Sequence, residues 1–81
     1  MKLPRDVAGT ELAKALGKFG FVVTRQSGSH MRLTRTTADG EQHLTIPAHS
    51  SLKAGTLSAI LSDAARALSM TKDDLVRAIW P

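Results

Sequence analysis

Leu12, Ala15, Leu16 and Phe19 recur at three- and four-residue intervals, so they line one stripe of a helix while Lys14 and Lys18 point elsewhere. Gly20 supplies a left-handed stop, and the helix starts between Asp6 and Thr10, with Asp6 as its candidate cap. The period then changes from helical to alternating. "FVVTRQ" is β-branched and aromatic, "HMRLTRT" alternates, and "EQHLTIP" alternates again, which predicts three successive strands. Asp39-Gly40 is the turn expected between the second and the third. Further on, Leu57, Ile60, Leu61, Ala64 and Leu68 mark a second amphipathic helix. Thr71 followed by Asp74 has the spacing of a capping box and opens a short third helix through Leu75 and Ile79.

The two-residue period of a strand also sorts the side chains by face. Met31 and Leu33 share one face of the second strand and Leu44 and Ile46 one face of the third, so these belong under the helices. His30, Arg32, Thr34, His43 and Thr45 then fall on the other face, provided no bulge intervenes; Gly28 is the place where one is expected. The order is α-β-β-β-α with a further C-terminal helix. That is an α+β fold: a three-stranded antiparallel sheet with helices on one face. A chain of 81 residues suits one small domain, 1–81, with 70–81 as a helical extension, and no internal repeat or linker interrupts it.

Composition narrows the setting. Hydrophobic residues make up 42% and cysteine is absent, which fits a folded protein of a reducing compartment. The start "MKLPRDVAG" lacks the apolar run of a secretory signal, and no stretch approaches the roughly 18 apolar residues of a membrane span, so a soluble, cytoplasmic protein is expected. The net charge is +4, and it is unevenly spread: between Leu12 and Ala38 lie Lys14, Lys18, Arg25, Arg32 and Arg35 without one acid. A basic half of this kind suits an anionic partner such as nucleic acid, the ordinary alternative being a solvated basic face. Phe19, Phe21 and Trp80 are the only aromatics, too few for a surface on which bases stack, so contacts to a nucleic-acid backbone are expected instead.

His30 is the leading candidate for chemistry, because imidazole exchanges a proton near neutral pH without special tuning. Gly28 permits close backbone approach by a ligand, Ser29 can donate to an anion, and Arg32 projects from the same strand face two residues on. The ordinary alternative is that Gly28-Ser29 is simply a turn and His30 a strand-start residue. A metal site is not expected, since His30, His43 and His49 have no cysteine partners and none of the close spacing of helix-borne zinc ligands. Lys53, Gly55 and Thr56 lie where the second helix begins, where free amides and positive potential suit a phosphate, or serve as a plain cap. No glycine-rich nucleotide loop, Ser-His-Asp set or close carboxylate pair is present.

"GFVVTRQSGSHMRL", "LTIPAH" and "LKAGTLSAIL", in this order and spacing, closely resemble the HicA family, the toxins of toxin-antitoxin modules. The resemblance covers Leu12 to Leu68, and departs from the family pattern at Ala54, where proline is common, and at Ala8, where serine is common. It implies a double-stranded-RNA-binding-like fold, mRNA cleavage that arrests growth, no cofactor, and neutralisation by a HicB-type antitoxin. The family's catalytic histidine lies in its Gly-Ser-His motif, and that role falls by resemblance to His30. His49 matches the histidine after the proline.

On this reading the chain is a metal-independent endoribonuclease. His30 makes one proton transfer, and Arg32, with Arg25 or Lys53, positions the phosphate. The second acid or base is left open between His49, His43 and water. A non-catalytic RNA-binding module of the same fold is the alternative.

Overall fold

The structure, a computed structural model, describes residues 3–81. Three helices and three strands follow in the expected order: α1 (Gly9–Gly17), β1 (Val22–Ser27), β2 (His30–Thr37), β3 (Gly40–Pro47), α2 (Ala54–Ala67) and α3 (Lys72–Ile79). The strands form one antiparallel sheet in the order β1-β2-β3. Met31 stands opposite Ile46 and Leu33 opposite Leu44, and all four are buried beneath α1 and α2 with Leu12, Leu16, Phe21, Leu57 and Leu61. Helices cover one face of the sheet and the other is open, as the alternation predicts. Among the described residues no helix is long and apolar enough to cross a membrane.

Both long helices end in the same way. Gly20, at φ 96°, follows α1, and the amides of Gly20 and Phe21 return to the carbonyls of Gly17 and Leu16. After α2 the left-handed position is held by Ser69, at φ 55°, with the amides of Ser69 and Met70 on the carbonyls of Arg66 and Ala65. One further carbonyl beyond α1 and one at the end of α2 are taken by two side chains from the sheet. Arg35 donates from Nε to the Phe19 carbonyl at 3.0 Å and from Nη1 to Gln42 Oε1 at 2.7 Å, and Gln42 donates to the Ala67 carbonyl at 2.9 Å. Arg35 and Gln42 are cross-strand partners on the covered face. Arg35 therefore does not belong to the solvated basic set in which its place in the sequence puts it.

At the opposite end the helices start against the sheet. The N-cap of α1 is Ala8, without a side-chain bond; Asp6 does not cap it but accepts from Ser51 Oγ at 3.3 Å. The Gly9 amide donates to the His49 carbonyl at 2.9 Å and the Leu52 amide to the Val7 carbonyl at 2.8 Å. Gly9 packs so closely on β3 that a Cβ there would overlap the Pro47 carbonyl oxygen. In α3 the Asp74 amide bonds Thr71 Oγ1 at 3.1 Å, one half of the expected capping box. The Asp74 carboxylate turns to Arg77, which holds its pKa below the ordinary value, and Thr71 acts in the same direction.

Two turns depart from expectation. Thr37 pairs with Gly40, so the β2–β3 turn is centred on Ala38-Asp39, one residue earlier than Asp39-Gly40, and Gly40 at φ 126° opens β3. No bulge lies at Gly28; the register shifts between Val23 and Arg25, with Thr24 as the extra residue.

Gly9→Ala is expected to lower stability by about 3 kcal/mol, since neither the β3 backbone nor α1 can retreat without unpacking the core. Ser69→Gly is expected to raise it by about 0.5–1 kcal/mol by relieving the left-handed position. Urea denaturation followed by circular dichroism measures both, and equal effects of the two substitutions would contradict the packing described.

Candidate functional site

Gly28-Ser29 is a two-residue hairpin loop. Ser27 pairs with His30, and Gly28 at φ 58° supplies the positive φ that a tight hairpin needs at its first central position. His30 is thus the first residue of β2, exposed, opposite Ser27 on one side and Pro47 on the other. Beyond it the Ala48 amide donates to the Ser29 carbonyl, which carries the pairing past the end of β3 toward His49. A second proton-transfer candidate at this end is His49, two residues beyond the cross-strand partner of His30. Its side chain is exposed.

The bulge at Thr24 decides what joins His30 on the open face. Unbroken alternation from Val23, which pairs with Leu33, would turn Arg25 toward the helices; the extra residue instead sets Arg25 opposite Arg32. Two guanidinium groups then share one rung of the sheet on its open face. Neither has a carboxylate partner among the described residues, where the ion pairs are Glu41 with His43, Asp63 with Arg66, and Asp74 with Arg77. Like charges directly opposite one another repel, so this rung is electrostatically poised for an anion.

His43 lies farther along the same face, opposite Thr34, about 13 Å along the strands from the rung of His30. Its Nδ1 is 3.4 Å from Arg32 Nε and 3.1 Å from Thr34 Oγ1, while Thr34 Oγ1 is 2.8 Å from Thr24 Oγ1. Arginine can only donate, so Nδ1 carries the lone pair and the neutral ring holds its hydrogen on Nε2. Nε2 is 3.7 Å from Glu41 Oε1. Nothing in the sequence pattern signalled Thr24 or Glu41 as neighbours of this group.

Lys53, Gly55 and Thr56 do not join this face. Lys53 is the N-cap of α2, Gly55 and Thr56 lie in its first turn, and α2 packs on the covered side. They share only the end of the molecule with His30. Gly9 bonds His49 at the start of α1, and α2 begins a few residues beyond β3, so both helices present their positive N-terminal ends there; both C-terminal ends lie by Arg35 and Gln42. The first turn of α2 holds no acid. Among the described residues no three His, Asp or Glu side chains gather as potential metal ligands.

The family model described as the HicA toxin of bacterial toxin-antitoxin matches residues 9–65, well over half of the chain. The chain belongs to the HicA toxin family. No curated protein and no solved structure matches it. Membership of the HicA family implies an antitoxin partner, and the matched segment runs from the glycine packed on Pro47 through the second turn of the sheet to the core face of α2. It includes the Gly28-Ser29 hairpin, the bulged strand and the whole open face. The helix α3 lies outside it.

With the Arg32 hydrogen bond in place, neutral His43 is expected to be the Nε2–H tautomer. Long-range ¹H–¹⁵N correlation spectra of the imidazole rings check this, and a protonated Nδ1 in neutral His43 would contradict the network.

Proposed function

We propose that this HicA-family chain is a metal-independent endoribonuclease that cleaves mRNA and is neutralised by a HicB-type antitoxin. The observation that carries the reading is the position of His30: exposed at the first residue of β2, behind a tight glycine turn, with Arg32 next on the same face and Arg25 opposite it. RNA brings its own nucleophile. A base takes the proton of the 2′-hydroxyl, the 2′-oxygen bonds to phosphorus, and the bond from phosphorus to the 5′-oxygen breaks as that oxygen is protonated. The products are a 2′,3′-cyclic phosphate and a free 5′-hydroxyl, with no oxidant or cofactor consumed.

His30 makes one of the two transfers. His49, at the same end of the sheet, or a water makes the other. Arg25 and Arg32 hold the RNA backbone beside the reacting phosphate, and the positive ends of α1 and α2 supply potential that stabilises the charge building on the phosphorane oxygens. A HicB-type antitoxin that covers the open face and the His30 end would exclude RNA from both.

Purified protein is expected to cut RNA in the presence of EDTA and to leave DNA intact, because DNA lacks the 2′-hydroxyl. His30→Ala is expected to slow cleavage by about a hundredfold or more and to abolish growth arrest, with circular dichroism unchanged, since His30 contributes nothing to the core. RNA that is bound but never cut by the wild-type protein would reduce the reading to a binding module. Cleavage that needs added Mg²⁺ would remove the mechanism.

A further inference from the structure

We propose that the open face of the sheet holds single-stranded RNA, with Arg25 and Arg32 gripping the phosphate next to the one cleaved at His30, and that His43 is a positioning residue which aims Arg32. The proposal rests on the nuclease reading for the identity of the ligand. It makes His43 part of the grip and removes it from the candidates for the second proton transfer.

Register carries the first part. His30 and Arg32 are two residues apart on one strand face, about 7 Å along β2, a separation comparable to that of neighbouring phosphates in an extended strand. Arg25 and Arg32 face each other across about 5 Å of sheet with no acid between them, an arrangement that is unfavourable when empty and favourable around a phosphodiester. Glu41, the acid of this face, lies opposite Thr36, six rungs from His30. The chemistry points to a single strand: attack by the 2′-oxygen needs that oxygen, phosphorus and the leaving 5′-oxygen in line, which an A-form duplex does not present. The open face also carries no Phe, Tyr or Trp, so contacts chiefly to the backbone suit it.

The hydrogen-bond network carries the second part. A guanidinium on an exposed strand is free to swing, yet Arg32 is held by its Nε on His43 Nδ1 at 3.4 Å. With Nε occupied, its two terminal nitrogens remain for a ligand. Thr34 Oγ1 lies 3.1 Å from the same Nδ1 and shares its lone pair with Arg32, and Thr24, the bulge residue, lies 2.8 Å from Thr34. His43 stands about 13 Å along the sheet from the His30 rung, too far to share one phosphate with it, and its acceptor nitrogen is already taken.

The test uses the full chain and two probes. One is a single-stranded RNA of mixed sequence that is 2′-O-methylated throughout and so cannot be cut; the other is the same strand annealed to its complement. Arg25→Ala and Arg32→Ala should each weaken binding of the single strand about tenfold and lower the salt dependence by about one phosphate contact. Wild-type protein should prefer the single strand. His43→Ala should approach the Arg32→Ala loss, and adding it to Arg32→Ala should cost little more. His43→Asn, whose amide oxygen replaces Nδ1 as acceptor, should recover most of the affinity. With cleavable RNA, the Arg32 and His43 variants should raise KM more than they lower kcat, whereas His30→Ala lowers kcat.

Four outcomes overturn the proposal. Arginine variants that bind with wild-type affinity and salt dependence would remove the grip, and if they instead fail only to be neutralised by antitoxin, the face is a protein contact. Equal binding of the duplex would remove the single-strand claim. A His43→Asn protein that binds normally but cuts about a hundredfold more slowly would make His43 an acid or base. None of these touches the nuclease reading, which fails separately if wild-type protein leaves all cleavable RNA intact; binding that still depends on Arg25 and Arg32 would then uphold the grip alone.

Discussion

The register between β2 and β3 fixes everything else in this molecule. Met31 opposite Ile46 and Leu33 opposite Leu44 form the floor of the core, and because side chains alternate, the same register sets His30, Arg32 and Thr34 on the open side. A slip of one residue would bury Arg32 and expose Leu33. The pair that guards against it is Arg35 and Gln42, two rungs beyond Leu33 and Leu44 on the covered face. Only in this register do they meet the ends of both helices, Arg35 at Phe19 and Gln42 at Ala67. A charged side chain that reads as surface is therefore a register key.

The same two bonds give the molecule a polarity. Because both helices end over Arg35 and Gln42, both must begin at the other end, over the Gly28-Ser29 turn and the exit of β3. Helix dipoles, the glycine hairpin and His30 thus meet at one pole, while Asp39 and Glu41 occupy the far one. The charge asymmetry follows from chain direction more than from the number of lysines and arginines.

Elements and faces were legible because they rest on local periodicity. The helical stripe from Leu12 to Leu16, the alternation of β2 and β3, the Gly20 stop and the Thr71 cap all stand as the residues imply, whereas Phe19, read as the next residue of that stripe, lies in the turn beyond α1. What could not be read depends on partners distant in the chain. Thr24 has the composition of any strand residue, and only pairing against Leu33 and Arg32 makes it the bulge that turns Arg25 outward. Gly9 looks like a poor helix former until Pro47 is found against it. Ser69 hides a left-handed position that glycine usually announces. His43 reads, like His49, as a candidate for the second proton transfer, and only its bond to Arg32 separates the two.

Gly9 on Pro47, with Gly9 bonded to His49 and Val7 to Leu52, has a bearing on how the protein comes into being. These contacts join residues some forty positions apart, so the strand that begins at His30 has no fixed edge until β3 has been made and has met the start of the chain. During synthesis a ribosome-bound chain that stops short of Leu52 lacks that closure. The pole that carries His30 is thus closed only after Leu52 has been made, and the catalytic arrangement proposed for it is incomplete in a chain that ends with β3.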